Sequence, residues 1–528
     1  MLKKTPQLPV RQLVILSICR FAEPVVLTSV LPYLPEMIES VGVPKHEIAK
    51  WVGITAAVTS FSQAAMAVTW GTLSDTVGRK PVILTGLTCT MVMSLVFGFA
   101  RNLTLLVFAR GLLGLLNGNV GIIRTMVAEM VPEKELQPRA FSIMPLVWTI
   151  GSIFGPAFGG ALARPVEKHP EVFGRWPFLE RYPFLLPNLA AAGFFVVGIS
   201  TGFLFLEETL AAKKHQRDYG LVLGQALTRP CRSARSEKKS RSTTTTTAET
   251  DEERTALLGQ RRAATGNKPA RKPSWAEVFS PQSNLILLAY SLMSMHTMAF
   301  DSLFPVFLHT PPQQLEGNPD VRLPFKFIGG FGVDSQTIGI YYTLIGIIGM
   351  LVQFLIFPAA AKQYGVLNCL KVVSIIFPVL YLLTPFTALV PGSLRHVFVF
   401  LLMLGKLSAS IFGFPCTTIL LTNSAASLSV LGTLNGVGTS VSAIGRAVGP
   451  ALTGSAFSFG VKRGFIIIPW WLLAVFAAVS AVPVFWTEES DGFHGKEEVE
   501  DEVEDEVEAV EESQTGGYGA VERSTRRG

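Results

Sequence analysis

Residues Gly71 to Pro81 read Gly-Thr-Leu-Ser-Asp-Thr-Val-Gly-Arg-Lys-Pro. This short charged run is wedged between two long apolar stretches, Trp51 to Trp70 and Val82 to Ala100. So short a run cannot house a domain of its own; it has to join two apolar helices on one side of a bilayer. The rest of the chain repeats the pattern. About twelve stretches reach the ~20 mostly apolar residues that a bilayer core demands. They start near Leu13, Trp51, Val82, Leu103, Ala140, Pro183, Asn284, Thr337, Val366, Leu394, Leu431 and Phe465. Charged residues make up 16% of the chain, against roughly 25% in soluble proteins. Too little polar surface remains to cover that many buried helices in water. The expected fold class is an all-α polytopic membrane protein of about twelve transmembrane helices.

The first stretch carries Arg20 and Glu23, lacks a small-residue cleavage site and precedes many more spans, so it reads as a span and not a cleaved leader. Lys and Arg concentrate in alternate loops: Lys3, Lys4 and Arg11; Arg79 and Lys80; Lys134 and Arg139; the dense run from Lys213 to Arg241; and Lys362. By the positive-inside rule both termini and the large middle loop lie in the cytosol. The net charge of +6 therefore sets orientation and is no nucleic-acid footprint. The middle loop holds Thr243 to Thr247 and few aromatics and reads as a disordered linker. Glu497 to Glu512 reads as a solvated acidic tail. The organisation expected is a six-helix bundle over 1–206, a cytosolic linker over 207–281, a second six-helix bundle over 282–488 and an acidic cytosolic tail over 489–528.

The two halves look like repeats. Span five carries Gly151-x-x-x-Gly155-Pro156-x-x-Gly159-Gly160, and span eleven carries Gly445-x-x-x-Gly449-Pro450-x-x-x-Gly454. Basic residues match in spans four and ten, at Arg110 and Lys406. Pro358 to Gly365 aligns with the first charged turn by its last glycine and is degenerate: Asp75 faces Lys362 and Arg79 faces Val366.

Several residues stand out physically. Gly71 would let a helix end approach a neighbour closely, and Asp75 would favour the positive end of an adjacent helix. Spaced glycines in span five make a small-residue packing stripe, with Pro156 weakening the helix beside them. Arg110 is costly within a span and usually implies a cavity or a counter-ion. Arg124, nearer the cytosol, reads as an anchor. Glu23, one turn from Arg20, is either half of a structural pair or a group placed to take up and release a proton. Asp301 is a second such candidate at the corresponding place in the other half, and neighbouring His296 reads as a packing histidine. Arg446 is either a counter-ion or a contact for an anionic ligand group.

The pattern G-x-L-S-D-x-x-G-R-K-P at Gly71, Asp75, Gly78, Arg79 and Lys80 resembles the signature loop of the major facilitator superfamily. The resemblance implies two bundles that rock about a midplane cavity. It also implies a latch in which Asp75 meets the start of span eleven near Leu431 to Leu434 while Arg79 meets Glu129. The span-five glycines resemble that superfamily's antiporter motif, which is associated with proton-driven exporters, and Arg110 matches the basic residue of a span-four motif linked to proton transfer. Arg20-Phe21-Ala22-Glu23-Pro24, the Gly118-Asn119-x-Gly121-x-x-Arg124-Thr125 run and Asn435 through Pro450 together resemble the fungal and plant zinc-induced facilitator-like branch of the twelve-span drug:proton antiporters.

The function expected is secondary active transport, a proton-coupled antiport that exports a small organic molecule across the plasma or vacuolar membrane. The alternatives are a proton-independent facilitator and a nutrient sensor that has lost transport. The partners expected are a small-molecule substrate, protons and the lipid bilayer. No Ser-His-Asp order, phosphate-cradling loop or nucleotide motif stands out, so neither an enzyme nor an ATP-driven pump is expected, and no cofactor. Seven scattered histidines and five unclustered cysteines give no metal site. Asn102-Leu103-Thr104 is a sequon that abuts a helix, which argues against modification. Glu253 with Leu257 and Leu258 resembles an acidic dileucine signal for a sorting adaptor.

Overall fold

The computed structural model describes residues 8–131, 137–210, 213–214, 216, 218–226, 275–314, 318–392, 394–424 and 428–489. Fourteen longer helices carry the architecture: α1 Val10–Ser40, α2 Ile48–Val77, α3 Arg79–Gly98, α4 Leu103–Leu116, α5 Asn119–Met130, α6 Gln137–Leu162, α7 Leu185–Phe205, α8 Pro281–His309, α9 Ser335–Leu351, α10 Phe357–Tyr364, α11 Val366–Leu383, α12 Leu394–Asn423, α13 Leu428–Arg463 and α14 Ile467–Phe485. Helices α4 and α5 form one broken span. Helices α9 and α10 form another, joined by a π turn at Val352–Ile356. Among the described residues eight helical segments are long and apolar enough to cross a membrane by composition alone. Segments α2, α6, α8 and α13 lie at expected positions but outside those eight, α2 because it bends by 45°. Two of them, α6 and α13, spend their helix faces on glycine and serine, which pack on protein and not on lipid.

The glycines of α6 and α13 explain the packing order. A side chain added at Gly151 would strike Pro24, and one at Gly159 would strike the Ser29 carbonyl, so one face of α6 lies backbone to backbone on α1. Gly160 faces the other way, where an added Cβ would sit 3.1 Å from the Gly339 Cα of α9. Helix α13 does the same in the second half. Gly445 and Gly449 meet the backbone of Ser291 and Met295 on α8, while Gly454 meets Ala49 and Gly53 of α2. Each glycine-rich helix therefore binds one helix of its own half and one of the other.

All of these crossings between halves lie toward one end of the molecule, called here the closed end. There Glu39 pairs with His309 at 3.0 Å, Glu36 accepts the Ser335 N–H at 2.6 Å, and the Lys50 N–H donates to Ser458 at 3.2 Å. Lys168 donates to Ser335 Oγ at 2.8 Å, and Lys462 lies 3.4 Å from Glu47. The apolar core follows the same division. One buried cluster, built on Phe300, Phe304, Phe307, Tyr381 and Trp470, reaches across to Tyr33, Met37 and Val52 at the closed end. A second, with Leu16, Ile83, Ile123 and Phe195, stays within the first half and also takes in Trp70 of α2 and Met144 of α6.

Two expectations need correction. Residues Gly71 to Val77 are not loop: α2 continues through them, and the chain reverses over Gly78 alone, at φ 120°. Only glycine adopts that angle at little cost. Gly365, at φ 82°, does the same between α10 and α11. Gly71 also makes no close approach, because an added Cβ there would meet nothing within 4 Å among the described residues. The segment 207–281, read as disordered linker, is ordered where described at both ends, with a short helix over 219–226 and another at Trp275–Val278. Glu253, Leu257, Leu258 and the acidic run Glu497 to Glu512 lie outside the described residues.

Gly159→Val drives a branched side chain into the α1 backbone, and overpacking of this kind costs about 1–3 kcal/mol. Thermal unfolding of the purified protein should show a clearly lowered midpoint for Gly159→Val. Gly193→Ala on α7, where an added Cβ meets open space, should leave it unchanged or raised. Equal midpoints for the two variants would contradict the packing described.

Candidate functional site

The charged residues within the spans fall into two layers. The first surrounds the reversal at Gly78. Arg79, only 6% exposed, donates from Nη2 to Glu129 Oε1 at 3.0 Å and from Nη1 to Ser74 Oγ at 2.6 Å, and also pairs with Asp75. Five residues named from sequence, Asp75, Gly78, Arg79, Lys80 and Glu129, are thus gathered at one helix junction. The Asp75 side chain is 59% exposed. Its span-eleven counterpart near Leu431 to Leu434 falls mostly on residues whose side chains lie outside the description.

Sequence reasoning missed what holds this junction from below. Glu208, just past α7, accepts the Arg79 N–H at 3.0 Å and the Lys80 N–H at 3.1 Å, capping the start of α3. A carboxylate there satisfies orphan donors and complements the helix dipole. Lys80, 5% exposed, donates to Asp218 at 2.6 Å and to the Phe203 carbonyl at 2.9 Å. Burial by itself would raise the Asp218 carboxyl; the Lys80 ammonium, with the Leu221 and Gly220 amides, outweighs it and holds the group below the ordinary carboxylate range. Glu489 lies near Gly365, 3.6 Å from where its Cβ would be, so the second half places an acid at the matching reversal.

The second layer is at mid-depth. Glu23 is 1% exposed on α1. It pairs with Arg20, one turn away, and accepts a hydrogen bond from Asn119 Nδ2 at 3.1 Å. The break in span four puts Asn119 there. Trp70 Nε1 donates to the Leu115 carbonyl at 2.9 Å, and its ring fills the space any side chain at Gly118 would need. Helix α4 therefore stops at Leu116, and α5 restarts at Asn119 with its side chain against Gly86. The Asn-Gly-Asn triplet at 117–119 was the available signal in the sequence.

In the second half Asp301 pairs with Lys406, whose ammonium lies 5.2 Å from the Phe300 ring centre. The halves differ here. Arg110, the counterpart of Lys406, is bonded neither to Glu23 nor to any other described carboxylate. It is 7% exposed, stacks over Phe97 at 5.4 Å and leaves its Nε without a hydrogen-bond partner. His296 is buried and joined to the Tyr381 hydroxyl at 2.9 Å, a packing role. Asn102 spends its side chain on the Leu105 N–H at 2.7 Å, capping α4. Of the α6 and α13 motif residues, Gly151, Gly155, Gly159, Gly160, Gly445 and Gly449 meet backbone or side chains of adjoining helices, and the Pro156 and Pro450 carbonyls face Gly339 and Gly53. Arg446 Nη1 donates to Ser442 Oγ at 2.8 Å. Among the described residues no group of His, Cys, Asp or Glu is arranged to hold a metal ion.

Residues 16–450 match the family model described as Major Facilitator Superfamily. The chain is 38% identical over 510 residues to the major facilitator superfamily multidrug transporter mfsB of Aspergillus fumigatus, covering 92% of this chain and 84% of that protein. It is 26% identical over 470 residues to the protein ZINC INDUCED FACILITATOR-LIKE 1 of Arabidopsis thaliana, covering 87% of each. Among solved structures it is similar to the human organic anion transporter MFSD10 (TETRAN), at TM-score 0.55 and 17% identity over 90% of this chain and 100% of that one. At that identity the likeness shows the fold alone.

Because the docked Asp218 carboxyl is held below its free value, the docking it supports is complete above the ordinary carboxylate range near 4 and is lost as pH falls through the docked value. Hydrogen exchange of residues 218–226 should accelerate severalfold in Asp218→Asn at pH 7, and in the wild type below about pH 4. Unchanged exchange in Asp218→Asn would show that Lys80 does not anchor the segment.

Proposed function

The chain belongs to the major facilitator superfamily and is an integral multi-pass membrane transporter; from that membership we propose that it exports a small organic molecule by proton-coupled antiport. The observation that carries the proposal is Glu23, a carboxylate sealed at mid-depth and held between Arg20 and Asn119. Protonating it frees Arg20 and changes the charge between α1 and α5. Asp301 and Lys406 supply a second such pair, on the side facing α9. Arg110, in the first half, is a further buried cation that no described carboxylate pairs. Similarity to a fungal multidrug transporter supports a drug or metabolite as cargo.

Alternating access follows from two bundles, residues 1–206 and 282–488, that rock about the midplane. The present state is shut where α2 meets α13 and α6 meets α9. With both termini in the cytosol, that shut end is the outer face and the molecule is poised toward the cytosol. The junction at Gly78 is the latch. In the opposite state Asp75, now exposed, engages the start of α13, while Arg79 and Glu129 stay joined. The membrane is plasma or vacuolar, and a sorting adaptor reading Glu253, Leu257 and Leu258 would select the latter.

The Arg20–Glu23 pair also favours a second reading. Partners one turn apart on one helix neutralise each other, and a facilitator that ignores protons needs no more than that. Proteoliposome flux under an imposed pH gradient separates the two, with the cargo first chosen by a toxicity screen of a deletion strain. Coupled antiport predicts that Glu23→Gln loses at least tenfold of the gradient-driven flux and Asp301→Asn a smaller share. Flux that survives both changes and never responds to pH leaves only the facilitator.

A further inference from the structure

The helix over 219–226 has no part in the transport reading, yet the fold fixes it firmly to the end of α7. An added Cβ at Gly220 would fall 2.1 Å from the Phe203 carbonyl oxygen, and one at Gly224 would fall 2.2 Å from that of Leu204. These glycines lie one turn apart, so a single face of the helix rests backbone to backbone on α7. Lys80 of α3 secures it by donating to Asp218 and to the same Phe203 carbonyl. The length of α7 sets the depth. Its 21 residues rise about 31 Å at ~1.5 Å each, which matches a hydrocarbon core of ~30 Å. The Phe205 carbonyl at its end accepts a hydrogen bond from Gln12, near the start of α1, and α1 finishes at the closed end. The helix over 219–226 therefore lies at the border of the bilayer, on the side away from the closed end.

A second face of this helix is apolar. Tyr219, Val222 and Leu223 fall at i, i+3 and i+4, and each is half exposed or more. Cations flank the stripe. Lys214 stands exposed before it, and the sequence after it carries Arg229, Arg232, Arg235, Lys238, Lys239 and Arg241 against Glu237. An apolar stripe of this kind lies in the plane of the interface, and neighbouring cations suit anionic headgroups. The far end of the 207–281 segment repeats the design. Trp275 and Phe279 stack at 5.9 Å and are exposed, while Val278 is buried, just before α8 starts at Pro281. Arg271 and Lys272 precede them, and tryptophan favours the headgroup level. A cytosolic protein would have to reach into that layer to cover either patch, whereas lipid is already there.

We infer that the helix over 219–226, with the Trp275 and Phe279 pair, is a lipid-binding surface whose partner is anionic phospholipid of the adjacent leaflet. Tyr219, Val222 and Leu223 enter the boundary between headgroups and acyl chains, and Lys214 meets the headgroups. The surface also connects to the junction at Gly78, because the Asp218 that leads into the helix is the carboxylate that Lys80 holds. The inference rests on the chain's crossing a bilayer and is independent of its cargo and of proton coupling.

The test is photo-crosslinking of the full-length protein in nanodiscs that contain phosphatidylcholine and phosphatidylserine in equal parts. The photoreactive residue p-benzoylphenylalanine is placed at Val222 and, separately, at Leu223, and the adducts are identified by mass. Both positions should capture phospholipid, with phosphatidylserine about threefold over its share of the bilayer. Lys214→Gln should bring that excess down. If the Val222 and Leu223 substitutions fail to fold, p-benzoylphenylalanine at Tyr219, a close match in shape, decides the matter. Crosslinks to the chain itself, or no adduct at all, overturn the inference. Capture of the two lipids in proportion to the bilayer overturns the anionic preference. Hydrogen exchange gives a second readout: residues 219–226 should exchange severalfold more slowly in these nanodiscs than in phosphatidylcholine alone, and equal rates would contradict the proposal.

Discussion

Backbone-to-backbone packing through the glycines of α6 and α13 is the contact on which the other features rest. Gly151, Gly155 and Gly159 seat α6 on α1, and Gly445 and Gly449 seat α13 on α8. Association between apolar helices in lipid gains nothing from hiding apolar surface, so close van der Waals approach has to supply the affinity. The same two helices use Gly160 and Gly454 to reach the opposite half. A contact made by small residues, with its polar links set near the end of the helices, can separate there and return those groups to water. That property suits the closed end to the gate role proposed above, with the intra-half contacts of the same helices as the fixed part.

The charges obey a complementary logic. Lipid makes an unpaired ion expensive, and the structure pairs most of them within a half: Arg20 with Glu23, Lys406 with Asp301, Arg79 with Glu129, Lys80 with Asp218. The exceptions are informative because pairing is the rule. Arg110 is buried over an aromatic ring, and Arg446 donates to a serine hydroxyl with no described carboxylate in contact. Among the described residues the ion pairs that do cross between the halves, Glu39 with His309, Glu47 with Lys462 and Lys168 with Asp334, sit at the closed end.

Much of this was legible in the sequence, and the failures have physical causes. Apolar length located the spans, and glycine spacing marked α6 and α13 as packing helices, because both signals are local. Gly71 to Val77 was read as a loop because its polarity resembles one; nothing there breaks a helix until Gly78, and α2 simply runs on beyond the apolar stretch. The Arg20–Glu23 pair was visible as a one-turn spacing. Pairing of Lys406 with Asp301 was not, although both residues had been singled out, since it needs two helices laid side by side. Glu208 and Asp218 were lost in a polar segment taken as linker, where charge alone does not distinguish a cap or an anchor from a solvated residue.

The central claim is that one gate opens as the other closes. Paired spin labels at Lys45 and Arg463 across the closed end, and at Val77 and Ser424 across the other, would report both distances by double electron–electron resonance in proteoliposomes. The account predicts two populations in opposite phase, short with long and long with short, whose ratio shifts with pH. A closed-end distance that never lengthens, or two distances that lengthen together, would contradict it.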